Sequence, residues 1–241
     1  MDKKINPIIK NYTDNELALN KFVVTSFARY NHLTIDDGFL RSFLATEDDG
    51  LETDIDLLAK ECTMEDVINI FELAIPEAEK TANGAVYTPK YIRDYIVMQV
   101  MHSERKPLNE CLCADISCGC GAFLFTLADY LHNHTNMTYR QVIHNLYGVD
   151  ISATSIGRAK VLLSLAALLY GEIINEDDFN LFCGDSLTFD FKSMPGVCEN
   201  GGLDIVVGNP PYVRSKHIDD ATKQHLPLWN TSKVGNADLY I

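Results

Sequence analysis

The chain has 241 residues, enough for one full core and a smaller unit beside it, and its 46% hydrophobic and 22% charged residues are an ordinary globular balance. The net charge of −14 argues against simple electrostatic attraction to nucleic acid by the chain as a whole. The longest apolar stretch, residues 161–170 (VLLSLAALLY), is too short to cross a bilayer and is interrupted by Ser164. The beginning, MDKKINPIIKNYTDNE, has no apolar run behind its basic residues and so does not read as a secretory leader. Seven cysteines without secretory features point to reduced thiols, a cytoplasmic location and no membrane partner.

The acid is unevenly spread. Residues 1–80 carry 8 basic and 17 acidic side chains, a balance of −9, whereas residues 81–241 carry 12 and 17, a balance of −5. The front third reads as helices. Residues 14–30 place Leu17, Leu19, Phe22, Val23 and Phe27 at helical spacing behind a plausible cap. Thr34 is expected to cap a short helix holding Phe39, Leu40, Phe43 and Leu44, and Thr63 to start one carrying Val67, Ile68, Ile70, Phe71 and Leu73. The expectation is a helical amino-terminal domain over 1–80, with no chemistry of its own.

After Gly84 the pattern becomes an alternation of strand-length apolar runs and helices. The runs are 111–116 (CLCADI), 146–151 (LYGVDI), 179–183 (FNLFC) and 203–207 (LDIVV), with helices expected near 122–132 and 153–170. Strand–helix–strand alternation implies an α/β fold with a doubly wound, mostly parallel sheet covered on both faces. In such a fold ligands sit at the carboxyl ends of the strands.

Each run ends in residues suited to a ligand. The first leads into Asp115-Ile116-Ser117-Cys118-Gly119-Cys120-Gly121, whose glycines allow a tight turn and close backbone approach. A dinucleotide-binding GxGxxG would need Gly at 124, where Leu124 stands. Asp150 ends the second run, where an acid commonly accepts hydrogen bonds from ribose hydroxyls. The third ends in Gly184-Asp185, and the fourth in Asn209-Pro210-Pro211-Tyr212.

This ordered set, with Tyr87-Thr88-Pro89 upstream, resembles the N6-adenine-specific DNA methyltransferases of restriction–modification systems, the NPPY class with an amino-terminal S-adenosylmethionine motif. The likeness spans roughly residues 80–241, and Ile116 stands where that family usually has Pro. It implies a Rossmann-like, S-adenosylmethionine-dependent methyltransferase domain over 81–241. It further implies that Tyr87 and Thr88 lie by the methionine end of the cofactor. Asp115 with Cys118 and the Gly119 and Gly121 backbone would hold the amino-acid portion, Asp150 the ribose, Ile151 a face of the cofactor adenine, and Asp185 its exocyclic amine. Thr88 also reads as an N-cap, with Pro89 at the first helical position.

The chemistry accounts for the two prolines. An adenine N6 amine is a poor nucleophile because its lone pair is delocalised into the ring. The Asn209 side-chain carbonyl and the Pro210 main-chain carbonyl can accept its two hydrogens and direct that lone pair at a sulfonium methyl. Pro210 and Pro211 fix φ, so the acceptors are in place beforehand, and Tyr212 offers a stacking face for a flipped base. Asn209 would thus also border the cofactor.

Cys111, Cys113, Cys118 and Cys120 invite a zinc reading, but a metal at the glycine loop would block the ligand, so packing is expected and no metal is assigned. His132, His134 and His144 read as solvated residues at helix ends. Residues 235–241 (GNADLYI) resemble the start of the family's next motif. The methyltransferase domain is therefore expected to be incomplete at its carboxyl end and inactive alone. The region that reads double-stranded DNA would lie outside it, as would a possible restriction or specificity subunit. Alternatives are methylation of a release-factor glutamine or an RNA guanine amine, whose enzymes usually lack the YTP segment, or a cofactor-binding fragment without catalysis.

Overall fold

The fold is described for residues 5–76, 86–212 and 223–224 of a computed structural model. Gly84, Ala85, the 80/81 boundary and residues 235–241 lie outside them. Four short strands, β1 (Cys113–Asp115), β2 (Leu146–Asp150), β3 (Asn180–Cys183) and β4 (Ile205–Val206), form one sheet in the order β3-β2-β1-β4. Every pairing is parallel, with Cys113 opposite both Leu146 and Ile205, and Tyr147 opposite Asn180. The helices are α1 (Ile5–Lys10), α2 (Glu16–Tyr30), α3 (Glu52–Leu58), α4 (Met64–Leu73), α5 (Lys90–Ser103), α6 (Ala122–His134), α7 (Tyr139–His144), α8 (Ala153–Leu168) and α9 (Val197–Asn200).

Parallel neighbours need a crossover, and α6 and α8 supply it between β1 and β2 and between β2 and β3. Period-two alternation sends Cys113, Leu146, Leu181 and Ile205 to one face, packed with α5 to α8. Ala114, Tyr147 and Val149 face the other way, against Met194 and Val197. This is the expected Rossmann-like, doubly wound sheet. Because β4 adds on the far side of β1 from β2, the chain order reverses between β1 and β4. That switch point is where a fold of this kind leaves a crevice.

The strands are shorter than the apolar runs that announce them. At the start of β4 a side chain takes one backbone donor: the Asp204 carboxylate accepts the Leu112 N–H at 2.8 Å, while the Leu112 carbonyl accepts from the Asp204 and Ile205 N–H groups. Several helix starts hold as expected, including Thr63, whose side chain accepts from the Asp66 N–H in a reciprocal capping box. Two differ. Thr34 caps no helix among the described residues; Phe39–Phe43 is a 3-10 turn preceded by Gly38 at φ 81°. Pro89 is extended, with ψ 146°, so α5 begins at Lys90 and Thr88 does not cap it.

The apolar stretch 161–170 falls largely on α8, which is buried on nearly all sides. Leu163, Ala166 and Ala167 pack toward the sheet, whereas Val161, Leu162 and Leu165 pack with Phe22, Phe27, Ile55, Ile68 and Phe71 of the front helices. The same helix carries Arg158, 2% exposed. A buried guanidinium is tolerable only when paired. Arg158 donates to the Glu16 carboxylate of α2 at 2.7 Å and to the Phe71 carbonyl of α4 at 3.0 Å. Glu16→Ala is therefore expected to lower stability by about 2–4 kcal/mol in urea unfolding, because it strands that charge. Glu52→Ala, which removes an exposed partner of Arg29, is expected to cost under about 1 kcal/mol.

Candidate functional site

The site is built from the ends of all four strands. Asp115 closes β1 and is 2% exposed; its Oδ1 accepts from the Ser117 N–H at 3.0 Å. Asp150 closes β2 and accepts from the Gly119 N–H at 2.8 Å and the Ser152 N–H at 2.9 Å. The acid after the second strand thus holds the glycine loop after the first. The third strand end joins them: the Gly184 N–H donates to the Asp150 carbonyl at 2.9 Å, and the Ser186 hydroxyl donates to the Ile116 carbonyl. Asp185 itself accepts from the Leu187 N–H at 3.0 Å in a local turn.

The two loop glycines have different reasons. At Gly121, φ 89°, a Cβ would lie 2.9 Å from the Ala159 Cβ, so only Gly lets the loop sit against α8. At Gly119, φ 51°, a Cβ would meet nothing within 4 Å; the backbone here faces open space that a ligand can approach. Ile151, 66% exposed, projects an apolar side chain directly after Asp150. Cys118 is buried, and its N–H donates to the Val149 carbonyl at 3.0 Å.

The loop after β4 reaches the same place. A Cβ on Gly208 would stand 2.3 Å from Asp115 Oδ1, so glycine is what permits the carboxylate to touch this backbone. Asn209 Nδ2 donates to the Val86 carbonyl at 2.9 Å, which leaves Oδ1 without a partner among the described residues. Pro210, Pro211 and Tyr212 follow, with Tyr212 half exposed. The segment of Tyr87 and Thr88 is therefore joined to Asn209 across 123 positions of sequence.

Sequence reasoning missed the group that holds that segment. Arg93 of α5 is fully buried. It donates to the Thr88 carbonyl at 2.7 Å, to the Tyr87 hydroxyl at 3.4 Å, to Thr126 Oγ1 at 3.2 Å and to Glu65 Oε1 of α4 at 2.7 Å. The available signal was a charge at position 93 on the helix face shared with Val97 and Met101. Gly208 and Ser117 were likewise missed.

The four clustered cysteines divide between cores: Cys111, Cys113 and Cys118 face the sheet-side cluster, whereas Cys120 faces the front helices. Burial raises all four thiols above their ordinary value. Among the described residues no three His, Cys, Asp or Glu converge to hold a metal. His134 and His144 are exposed at helix ends, His144 on Asp178 at 3.1 Å, but His132 is half-buried against Tyr139 and Tyr170. A cavity of about 720 Å³ lies at the opposite end of the strands, lined by residues including Asn109, His134 and His144, and contains none of the site residues. No helix among the described residues is long and apolar enough to cross a membrane.

Burial, resisted by the Ser117 N–H and reinforced by the nearby Asp150 charge, pushes the Asp115 carboxyl up to about 7. Burial also raises Asp150, against the two loop amides it accepts. Two carboxylates, Asp115 and Asp150, beside an open glycine loop favour a ligand that is cationic or rich in hydroxyls. Since the folded chain holds a proton on Asp115 that the unfolded chain has already lost, stability is expected to fall as pH rises from about 4 through about 7. Asp115→Asn keeps an acceptor for Ser117 and has no proton to lose, so its melting temperature is expected to fall less over that range.

Residues 144–241, which include Asp150, Asp185 and Asn209 to Tyr212, match the family described as Eco57I restriction-modification methylase. The type II restriction enzyme and methyltransferase RM.Eco57I of Escherichia coli is 25% identical over 202 residues, covering 64% of this chain and 20% of that protein. The chain thus spans about a fifth of that relative's length. Among solved structures, the type IIG restriction endonuclease BpuSI matches with a TM-score of 0.65 at 16% identity, over 98% of this chain and 30% of BpuSI. The type IIL restriction-modification enzyme MmeI, solved in complex with DNA, matches with a TM-score of 0.55 at 14% identity, over 90% of this chain and 38% of MmeI. The structural likeness is one of fold, and the sequence likeness is to restriction-modification methylases.

Proposed function

We propose that the chain forms the cofactor-binding and catalytic part of a restriction–modification methyltransferase, which methylates the N6 amine of an adenine flipped out of double-stranded DNA. The observation that carries this reading is the orientation of Asn209. Its amide nitrogen is committed to the Val86 carbonyl, so its carbonyl oxygen remains to accept a hydrogen bond at the switch point. The sequence likeness over residues 144–241 supports the reaction class, and the DNA in the MmeI complex supports the substrate class.

The residues present fit S-adenosylmethionine. It would supply a methyl group on a sulfonium, a cation suited to the Asp115, Asp150 and Asp185 carboxylates. Tyr87, Thr88, Asp115, Cys118, Gly119, Gly121, Asp150, Ile151 and Asp185 would hold it, with Gly119 leaving room for it and Asn209 at its border. Asn209 Oδ1 and the Pro210 carbonyl accept the two amine hydrogens and draw the nitrogen lone pair out of conjugation. The proline rings fix those acceptors before the substrate arrives, so little reorganisation is left for the reacting complex. Methyl transfer would form the nitrogen–carbon bond as the carbon–sulfur bond breaks, leaving a neutral thioether. Asn209 Oδ1 and the Pro210 carbonyl are acceptors and not bases, so the surplus amine proton would pass to water. Tyr212, half exposed, stacks on the flipped base, which offsets part of the few kcal/mol that unstacking costs. A restriction or specificity subunit is a further partner under the same reading.

The reaction is tested by transfer of radiolabelled methyl from S-adenosylmethionine to adenine-containing duplex DNA, with the product identified by mass spectrometry. The chain is assayed alone and within any longer polypeptide that carries it. Asn209→Ala is expected to lower transfer by about 10²–10³-fold while leaving cofactor affinity within a few-fold of the wild type. Undiminished transfer by that variant, or label on protein glutamine or guanine instead of adenine, would contradict the reading.

A further inference from the structure

We infer that the Glu65–Arg93 pair is a positioning device, through which the front helices set the conformation of the 86–89 segment and thereby aim the Asn209 carboxamide. The functional meaning of that aim rests on the role proposed for Asn209; the geometry stands on its own.

The path is continuous. Thr63 and Asp66 close a capping box that fixes the first turn of α4, and Glu65 lies in that turn. Glu65 Oε1 accepts from Arg93 Nη2 at 2.7 Å, and Arg93 is fully buried while Glu65 is about one-quarter exposed. Arg93 Nη1 donates to the Thr88 carbonyl at 2.7 Å, and its guanidinium lies 5.8 Å from the centre of the Tyr87 ring. Two residues earlier, the Val86 carbonyl takes the Asn209 amide. Thr88 and Val86 belong to a stretch without regular secondary structure, so no helix or sheet ladder holds those carbonyls. The Arg93 side chain holds the Thr88 carbonyl and Asn209 meets the Val86 carbonyl, while Thr126 Oγ1 accepts from Arg93 Nε–H at 3.2 Å.

Only a guanidinium can serve this set. It presents donors in a fixed plane toward a carboxylate, a main-chain carbonyl and two hydroxyls, whereas a lysine offers one compact ammonium. The charge is also what makes Glu65 necessary: without a counterion the guanidinium would be drawn toward water, and the 86–89 segment with it. Glu65 and Arg93 touch no substrate in this account and act by placing Asn209.

The test uses the full chain labelled with ¹⁵N-asparagine, with the Asn209 side-chain amide identified by its loss in Asn209→Asp. One of its two protons is expected downfield in the wild type, from the bond to Val86. Glu65→Gln keeps an acceptor and removes the charge, and is expected to move that pair toward the position of a free carboxamide. Glu65→Ala is expected to move it further, and the surface control Glu52→Ala to leave it in place. The methyl-transfer kcat of Glu65→Gln is expected to fall about tenfold, as for one misplaced hydrogen bond. A folded Glu65→Gln with wild-type Asn209 resonances would overturn the inference, and that variant decides the matter if Glu65→Ala does not fold. A wild-type chain that binds no S-adenosylmethionine, but whose Asn209 amide still responds to Glu65→Gln, would support the positioning device and overturn the methyltransferase reading.

Discussion

Two buried positive charges govern how this chain is put together. Arg93 and Arg158 stand on α5 and α8, within or against the layer that covers the sheet, and neither finds its carboxylate there. Arg93 pairs with Glu65 of α4, and Arg158 with Glu16 of α2. Since a lone buried guanidinium is prohibitive, the sheet layer and the front helices satisfy each other. The apolar faces add to this: α8 is sandwiched between the sheet and the front helices, so both of its sides are core. The acidic excess of the front residues is partly explained as well, since two of those acids are counterions for arginines further along the chain.

The same economy shapes the site. No strand end works alone. Asp150 holds the glycine loop that follows β1, the turn after β3 bonds back to Asp150 and Ile116, and the loop after β4 lies against Asp115 because Gly208 has no side chain. The polar residues that would meet a ligand are thereby held before any ligand is present. The cost is electrostatic, since burial raises both Asp115 and Asp150. A cationic ligand would relieve it, which is the physical link between the carboxylate cluster and a sulfonium cofactor.

Much of the fold was legible in the sequence because it rests on local signals. Apolar runs at 111–116, 146–151, 179–183 and 203–207 each contain a strand, and Thr63 marks the start of α4 as its capping box requires. Where the reading failed, another partner had taken the backbone group: the Phe39 N–H, in the segment expected to follow a Thr34 cap, goes to the distant Ile174 carbonyl at 2.8 Å. Pro89 is extended and α5 starts one residue later, while the Thr88 carbonyl goes to Arg93 instead of a helix. The candidate residues were legible as an ordered series of motifs, yet their connections were not. That Asn209 reaches Val86, or that Arg93 is held by a residue in the helical front, depends on pairs separated by 123 and 28 positions. No periodicity reports such a distance. A charge on an otherwise apolar helix face was the one hint available.

The central claim is that the carboxyl ends of these strands bind S-adenosylmethionine. Calorimetric titration of the chain with S-adenosylmethionine, beside an equally folded Asp150→Ala, tests it most directly. The account predicts one-to-one binding that weakens by at least about tenfold when Asp150 is lost, since the acid holds the Gly119 loop and is proposed to meet the ligand. Equal binding by the two proteins, or no binding by the folded wild-type chain, would contradict it.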